Sequence, residues 1–432
     1  MFVSDACALN DAGHLTVGGA DTVELAERFG TPLYVMDEEK IRRNCRDFTS
    51  AINKYFHGNG LAYYASKALC CKAICRVAAE EGMGLDVVSG GELYTALEAG
   101  FPPQRIAFHG NNKSEEEIFL GVEAGVGRFM VDNADELEAL DACAAKLNKT
   151  VCIHLRLSPG VDAHVHDFIK TGKIDSKFGV AIQTGQAMEL IRLALQKKHV
   201  QLTGLHCHIG SQIFSEEPFV LATQVMIRFM AEVRAQTGLL LQELTLGGGF
   251  GVRYVPADDP KPLDVYMQAI SSALETTCSD TDLPVPALFF EPGRYIVAAA
   301  GVTLYKVGCV KEIPGYRSYT LVDGGMPDNP RYILYGAEYD VTVANKASLP
   351  KNYLTTLAGK CCESGDLIQE NILLQKPQRG DIVAVLTTGA YNYSMASHYN
   401  RLPNPAMVLV RNGEAKPAIR RETNQDLLRN DL

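Results

Sequence analysis

Between residues 33 and 293 the chain repeats one unit: a short β-branched or aromatic run, a polar tip, and an amphipathic stretch of helical period. The runs are LAYYA (61–65), GLDVV (84–88), RIAFH (105–109), RFMVD (128–132), VCIHLRL (151–157), LTGLHCH (202–208), ELTLG (243–247) and ALFFE (287–291). Helical stretches fall between them, among them KALCCKAICRVAAEEG (67–82), DELEALDACAAKLN (135–148) and VMIRFMAEVRAQTG (225–238). The last ends on a glycine, where a helix C-cap is expected. Eight strands alternating with helices is the count of a (β/α)8 barrel, although a doubly wound open sheet uses the same alternation. The polar tips favour the barrel. Lys67, Asp86, His109, Arg156, His208, Gly247 to Gly249 and Glu291 all fall at or just past the C-terminal end of a predicted strand. A closed barrel gathers those ends on one face, whereas an open sheet spreads them along a line too long for one small ligand.

After Arg294 the texture changes to alternating strands: YIVAAAGVTLYKVGCVKEI (295–313), YTLVDGG (319–325), YDVTVA (339–344), DIVAVLTTGAY (381–391) and AMVLVRNGE (406–414). Helical period is scarce there, which reads as all-β structure. The first thirty or so residues look strand-like and turn-rich and are expected to join it. The fold expected is α/β plus all-β. A TIM-type (β/α)8 barrel over 33–293 is joined to a β-sandwich or β-barrel-like domain made of 1–32 and 294–432.

Composition narrows the function classes. The chain has 432 residues, 47 % apolar and 21 % charged, enough for a large core and unlike a disordered chain. A net charge of −10 with no basic run argues against a nucleic-acid surface. The start, MFVSDACALNDAGHL, lacks the basic and long apolar parts of a signal peptide. The longest apolar run, YIVAAAGVTLY (295–305), is too short to span a bilayer. A cytoplasmic address, with no membrane or nucleic-acid partner, is the expectation. Twelve cysteines occur without zinc-type spacing, so most read as buried thiols in a reducing compartment.

Several residues carry chemistry only in combination. Most lysines that follow a strand point to solvent, and Lys67 alone is a weak signal. A lysine in a barrel mouth is desolvated, which frees its amine for imine formation. Gly247, Gly248 and Gly249 form an ordinary tight turn, or an anion cradle where such barrels hold phosphate. Hydrogen bonds to a charged oxygen contribute about 1.5–3 kcal/mol each, so a few amides suffice to anchor one. Glu291 ends the apolar run ALFF and either pairs with Arg294 or holds a cationic ring nitrogen. His206 and His208 alternate with Cys207 and are the one place where a metal reading has force. That reading ranks below stacking by His208, because HVH (164–166) does not complete a ligand set and the eighth run ends in Glu-Pro; no metal is expected. An amine, an anion cradle and a pyridinium partner are together what pyridoxal 5′-phosphate needs from a protein.

These motifs resemble the diaminopimelate decarboxylase family, within the alanine-racemase-like (fold type III) pyridoxal-phosphate enzymes. The resemblance runs over about residues 20–420 and rests on YYASKA (63–68), DVVSGGEL (86–93), FHGNNKS (108–114), PGVDAH (159–164), SKFG (176–179), GLHCHIGSQ (204–212), GGGFG (247–251), EPGR (291–294), LYGA (334–337), CESGD (362–366) and GAYNYSMASHYN (389–400). It implies that Lys67 carries the imine with the cofactor, that His208 stacks on the ring and that Glu291 binds its nitrogen. It implies that Gly247, Gly248, Gly249, the Gly293–Arg294 backbone and Tyr391 hold the phosphate. Ser211, Arg294, Arg331, Tyr335, Tyr391 and Glu363 would bind substrate. Head-to-tail homodimers are implied, with the β-rich domain completing the site and the dimer interface, and with Cys362 and Glu363 entering the partner's site.

The implied reaction is loss of CO2 from the D-centre of meso-2,6-diaminopimelate to give L-lysine, the last step of lysine biosynthesis, with Cys362 or Lys67 returning a proton. The charges suit this substrate: two arginines and an acid are what a distal carboxylate and ammonium require. The chain departs from the family pattern at Ser158, Tyr332, Lys360, Cys361 and Asn392, none of them a proposed catalytic group. The competing readings are a same-fold decarboxylase of another amino acid or carboxylated polyamine, a racemase, a metal-dependent hydrolase on His206 and His208, and a non-catalytic cofactor-binding homologue.

Overall fold

The computed structural model describes residues 2–161 and 176–432. HVH (164–166) and the second half of PGVDAH lie outside the described residues. Two compact units form. One comprises Cys45–Gly251 and Pro260–Gly293, the other Met1–Asn44, Val252–Asp259 and Arg294–Leu432.

In the first unit eight parallel strands close on themselves: β1 (Gly60–Ala65), β2 (Gly84–Val87), β3 (Ile106–Phe108), β4 (Arg128–Val131), β5 (Val151–Ser158), β6 (Val200–Cys207), β7 (Glu243–Thr245) and β8 (Ala287–Phe290). Each pairs with the next, and β8 returns to β1 with Phe290 opposite Ala62. Every residue of β2 and β3 is buried, the continuous apolar pattern of strands covered on both faces. Tyr63, Ala107, Met130 and Phe289 meet inside the barrel. Burying a side chain such as Leu85 or Phe290, each fully covered, stabilises by roughly 1.5–3 kcal/mol.

Local signals set the helix ends. Glu115–Ala124 begins at a capping box of Ser114 and Glu117 and stops at Gly125, in the left-handed region at φ 74°. The helix ending at Gly238 runs over Glu217–Thr237, longer than predicted. The helix predicted from residue 67 is corrected. Ser66–Ala68 is a single 3-10 turn, Leu69 is extended (φ −163°), and the α-helix begins only at Lys72. Lys67 therefore sits in a tight turn at the tip of β1 rather than on a helix.

In the second unit the strand Gly301–Ile313 is the organiser. Its first half pairs with Leu33–Asp37 and Ile382–Leu386, and its second half with Arg317–Val322. Tyr353–Ala358 and Leu367–Leu374 extend one edge, and Ala406–Arg411 and Glu414–Ile419 the other. The stretch 295–313 is not all strand, since Arg294–Val297 forms a helical turn. At the N-terminus Cys7–Leu9, Leu15–Val17 and Ala20–Asp21 make a small sheet, followed by the helix Thr22–Phe29, which was not predicted. Leu15, Val17, Leu33, Val35, Val302, Leu304, Leu386 and Val408 form the core here. Among the described residues no helix is long and apolar enough to cross a membrane.

Candidate active site

The C-terminal ends of the barrel strands bring most of the predicted residues of this unit together. Lys67, His109, Arg156 and His208 line one cavity of about 350 Å3, with Gly110, Ser158, Ser176 and Phe178 completing its wall. Lys67 is exposed at the tip of β1. Beneath the cavity lies a buried polar cluster. Glu291, one residue past β8, accepts a hydrogen bond from His206 Nε2 at 2.9 Å on Oε2. Its Oε1 lies 2.8 Å from His109 Nε2, which is itself 3.6 Å from Asp86.

The protonation states follow from these neighbours. Burial alone would raise the Glu291 carboxyl, but the His109 and His206 imidazoles hold it well below the ordinary range, so it is ionised. Asp86 is pushed up by burial, offset in part by His109. Burial lowers His206 to about 4, against the pull of Glu291. Burial, with the positive charges of Lys67 and Arg156, keeps His208 well below its usual value and neutral.

Gly247, Gly248 and Gly249 follow β7. A Cβ on Gly247 would stand 2.7 Å from His208 Nδ1, one on Gly248 2.1 Å from the Glu291 carbonyl, and one on Gly249 2.6 Å from the Gly210 carbonyl. Gly247 and Gly249 have φ of 70° and 113°, conformations that favour glycine. Bare backbone is required at all three positions, beside both His208 and Glu291.

Glu291 Oε1 is buried and has no hydrogen-bond partner meeting normal geometry among the described residues, although His109 is close. A buried acceptor left in that state calls for a donor. A protonated ring nitrogen supplies one, and the glycine backbone beside it suits an anion, so these residues fit pyridoxal phosphate. His109, His206 and Glu291 also have ligand atoms within 4.8 Å of one another, close enough to share a cation. His206 belongs to this buried cluster, whereas His208 lines the cavity.

In the second unit, Arg294 donates to the Tyr254 hydroxyl at 2.6 Å and lies 4.8 Å from the Tyr391 ring centre. Arg331 is buried, donates to Tyr339 Oη at 2.9 Å and stacks 5.0 Å from the Tyr254 ring. Tyr391 has φ 66°, a left-handed conformation that costs a non-glycine residue of order 1 kcal/mol and clusters at functional sites. Tyr335, Cys362 and Glu363 are exposed. The Cys362 amide donates to Asn400 at 2.7 Å. Ser211 is exposed just past β6 in the barrel unit. Sequence reasoning missed the contact of His109 with Glu291 and the tyrosines that hold the arginines. Only the position of His109 at a strand tip pointed to the first.

Comparison with known proteins gives the class. A family model described as the pyridoxal-binding domain of pyridoxal-dependent decarboxylases matches residues 38–298. The fold and site are those of a pyridoxal-phosphate-dependent decarboxylase. The chain is 46 % identical to diaminopimelate decarboxylase of Bacillus subtilis, over 100 % of this chain and 98 % of that protein. It is 42 % identical to the Mycobacterium tuberculosis protein of that name, over 97 % and 95 %. A structure of diaminopimelate decarboxylase from M. jannaschii in complex with L-lysine superposes with TM-score 0.92 at 36 % identity, covering 100 % of this chain and 99 % of that one. A lysine/ornithine decarboxylase from Vibrio vulnificus is less similar, at 28 % identity and TM-score 0.76 over 91 % and 98 %. The chain belongs to the diaminopimelate decarboxylase family.

Proposed function

We propose that the protein decarboxylates meso-2,6-diaminopimelate at its D-centre with pyridoxal 5′-phosphate, giving L-lysine and CO2. The observation that carries this reading is the buried, ionised Glu291 beside a backbone-only cradle and under a cavity lined by Lys67. When bound, the cofactor supplies an electron-poor ring that takes up the electron pair left by the departing CO2.

The chain's own residues do the rest. Lys67 would hold the cofactor through its side-chain amine, within reach of the substrate amine. Glu291, kept ionised by His109 and His206, holds the ring nitrogen protonated. His208 is neutral and stacks on a cationic ring without charge repulsion. Gly247, Gly248, Gly249, the Gly293–Arg294 backbone and Tyr391 take the phosphate. Arg294 and Arg331 read the distal carboxylate, with Ser211 and Tyr335, and Glu363 reads the distal ammonium. Cys362 or Lys67 returns a proton to the carbon that lost CO2. The working form is a homodimer in the cytoplasm, in which the exposed Cys362 and Glu363 reach the partner's site.

The test is the absorption spectrum of the purified protein, followed by assay of CO2 and L-lysine from meso-diaminopimelate. A yellow protein that forms both products, and loses colour and activity in Lys67→Ala, supports the reading. A yellow protein inert toward this substrate moves the specificity to another amino acid. A colourless protein that pyridoxal phosphate does not reconstitute overturns it.

A further inference from the structure

CESGD (362–366) ends in an acid with no role in the reading above. Asp366 is buried at 3 % exposure, while Cys362, Glu363 and Ser364 beside it are exposed. Its Oδ1 accepts the Met326 amide at 2.6 Å and its Oδ2 the Cys361 amide at 2.7 Å. One carboxylate thus joins two segments far apart in sequence. The first is the turn GGMPDNP (324–330), closed by the Asp328 and Asn329 amides on the Gly325 carbonyl and running directly into the helix Arg331–Tyr335. The second is the loop that carries Cys362 and Glu363.

The packing around this carboxylate leaves no room for side chains. A Cβ on Gly325 would meet Asp366 Oδ1 at 2.4 Å, and one on Gly359 would meet Oδ2 at 2.2 Å and the Gly325 Cα at 2.5 Å. The Lys360 amide donates to the Gly324 carbonyl at 3.0 Å, and the Asp366 amide to the Glu363 carbonyl at 3.0 Å. Both carboxylate oxygens are therefore needed as acceptors in a space fitted to them.

We propose that Asp366 is a positioning residue for substrate recognition, which locks the turn leading to Arg331 against the loop presenting Cys362 and Glu363. The inference rests on the proposed roles of Arg331 and Glu363 and extends them: the arginine that reads the distal carboxylate in one site and the acid that reads the ammonium in the partner's site are held by one shared anchor. The residue acts through the two segments and touches no reactant.

Asp366→Asn in the holoenzyme is the test. It keeps the shape but turns an amide NH2 toward one of the two N–H donors. The KM for meso-diaminopimelate is expected to rise about tenfold or more, the equivalent of one hydrogen bond to a charged group, with a smaller change in kcat. The cofactor spectrum should stay intact, and hydrogen exchange should quicken in peptides covering 323–331 and 359–366. Gly359→Ala, which displaces the carboxylate without removing it, should act in the same direction and carries the test where Asp366→Asn does not fold. Glu363→Gln is measured alongside. If Glu363→Gln raises KM and Asp366→Asn does not, the inference is overturned. A raised KM without faster exchange in the two segments overturns it as well. A Glu363→Gln variant with unchanged KM overturns the reading of the site, and the inference falls with it.

Discussion

Glu291 stands between His206, 2.9 Å from Oε2, and His109, 2.8 Å from Oε1, so a single buried carboxylate is braced by two imidazoles from different barrel strands. Its charge depends on both. Glu291→Gln keeps the volume and removes the charge that holds a ring nitrogen protonated. The expected result is a fall in kcat on the order of 10²- to 10³-fold, comparable to removing one preorganised electrostatic group from an active site. Steady-state assay with saturating pyridoxal phosphate measures it. A variant with wild-type kcat would deny Glu291 that role.

Gly248→Ala tests the cradle. The new methyl would lie 2.1 Å from the Glu291 carbonyl, and this contact is with backbone, which cannot swing aside. Cofactor affinity is expected to fall by about 10²-fold or more, given that overpacking commonly costs about 1–3 kcal/mol and the lost amide contacts add to it. Fluorescence titration of the cofactor-free protein with pyridoxal phosphate gives the dissociation constant directly. Unchanged affinity would place the phosphate elsewhere.

The barrel was legible because parallel strands buried on both faces appear as short continuous apolar runs, and each of the eight lies within two residues of its predicted position. The tip residues were legible for a related reason: closure gathers strand ends on one face, so their spacing in sequence does not matter. Other features depend on contacts that sequence does not display. Leu33–Asp37 is buried throughout and could serve either unit, and it is the hydrogen bonds to Gly301–Ile313 and Ala406–Arg411 that place it in the sheet. The helix Thr22–Phe29 is only eight residues long and starts on Asp21, which also reads as a turn residue. The approach of His109 to Glu291 spans the barrel between β3 and β8, and no local pattern encodes it. Asn392 is fully buried, with its side chain 3.4 Å from the Tyr339 hydroxyl that holds Arg331, a contact no local pattern displays.

Arg331 is buried with no carboxylate partner among the described residues, and its charge is favoured by Tyr254 and Tyr339 against the cost of burial. Such a cation is prepared for an anion from outside the chain. Arg331→Met is expected to raise KM for meso-diaminopimelate by about 10²-fold, the scale of a charged pair lost from a desolvated site. Cofactor binding should change little. Equal losses in substrate and cofactor affinity would show that Arg331 supports the fold of its unit rather than recognition.

Asp328 gives the β-rich unit a pH-dependent stability with a defined sign. Burial pushes its carboxyl up to about 7, and Asp366 and Asp323 add to that, against hydrogen bonds from Tyr305 and the Gly325 amide. The folded chain thus keeps a proton on Asp328 that the unfolded chain releases near pH 4. The stabilisation is fully present below about pH 4 and is lost as pH rises through about 7. It amounts to at most about 4 kcal/mol. Asp328→Asn carries no titrating group, so its thermal midpoint relative to wild type should climb between pH 4 and pH 7.5 and level off above. Scanning calorimetry of both proteins across that range makes the comparison. A difference that stays flat would mean that Asp328 is already ionised in the folded protein at pH 4.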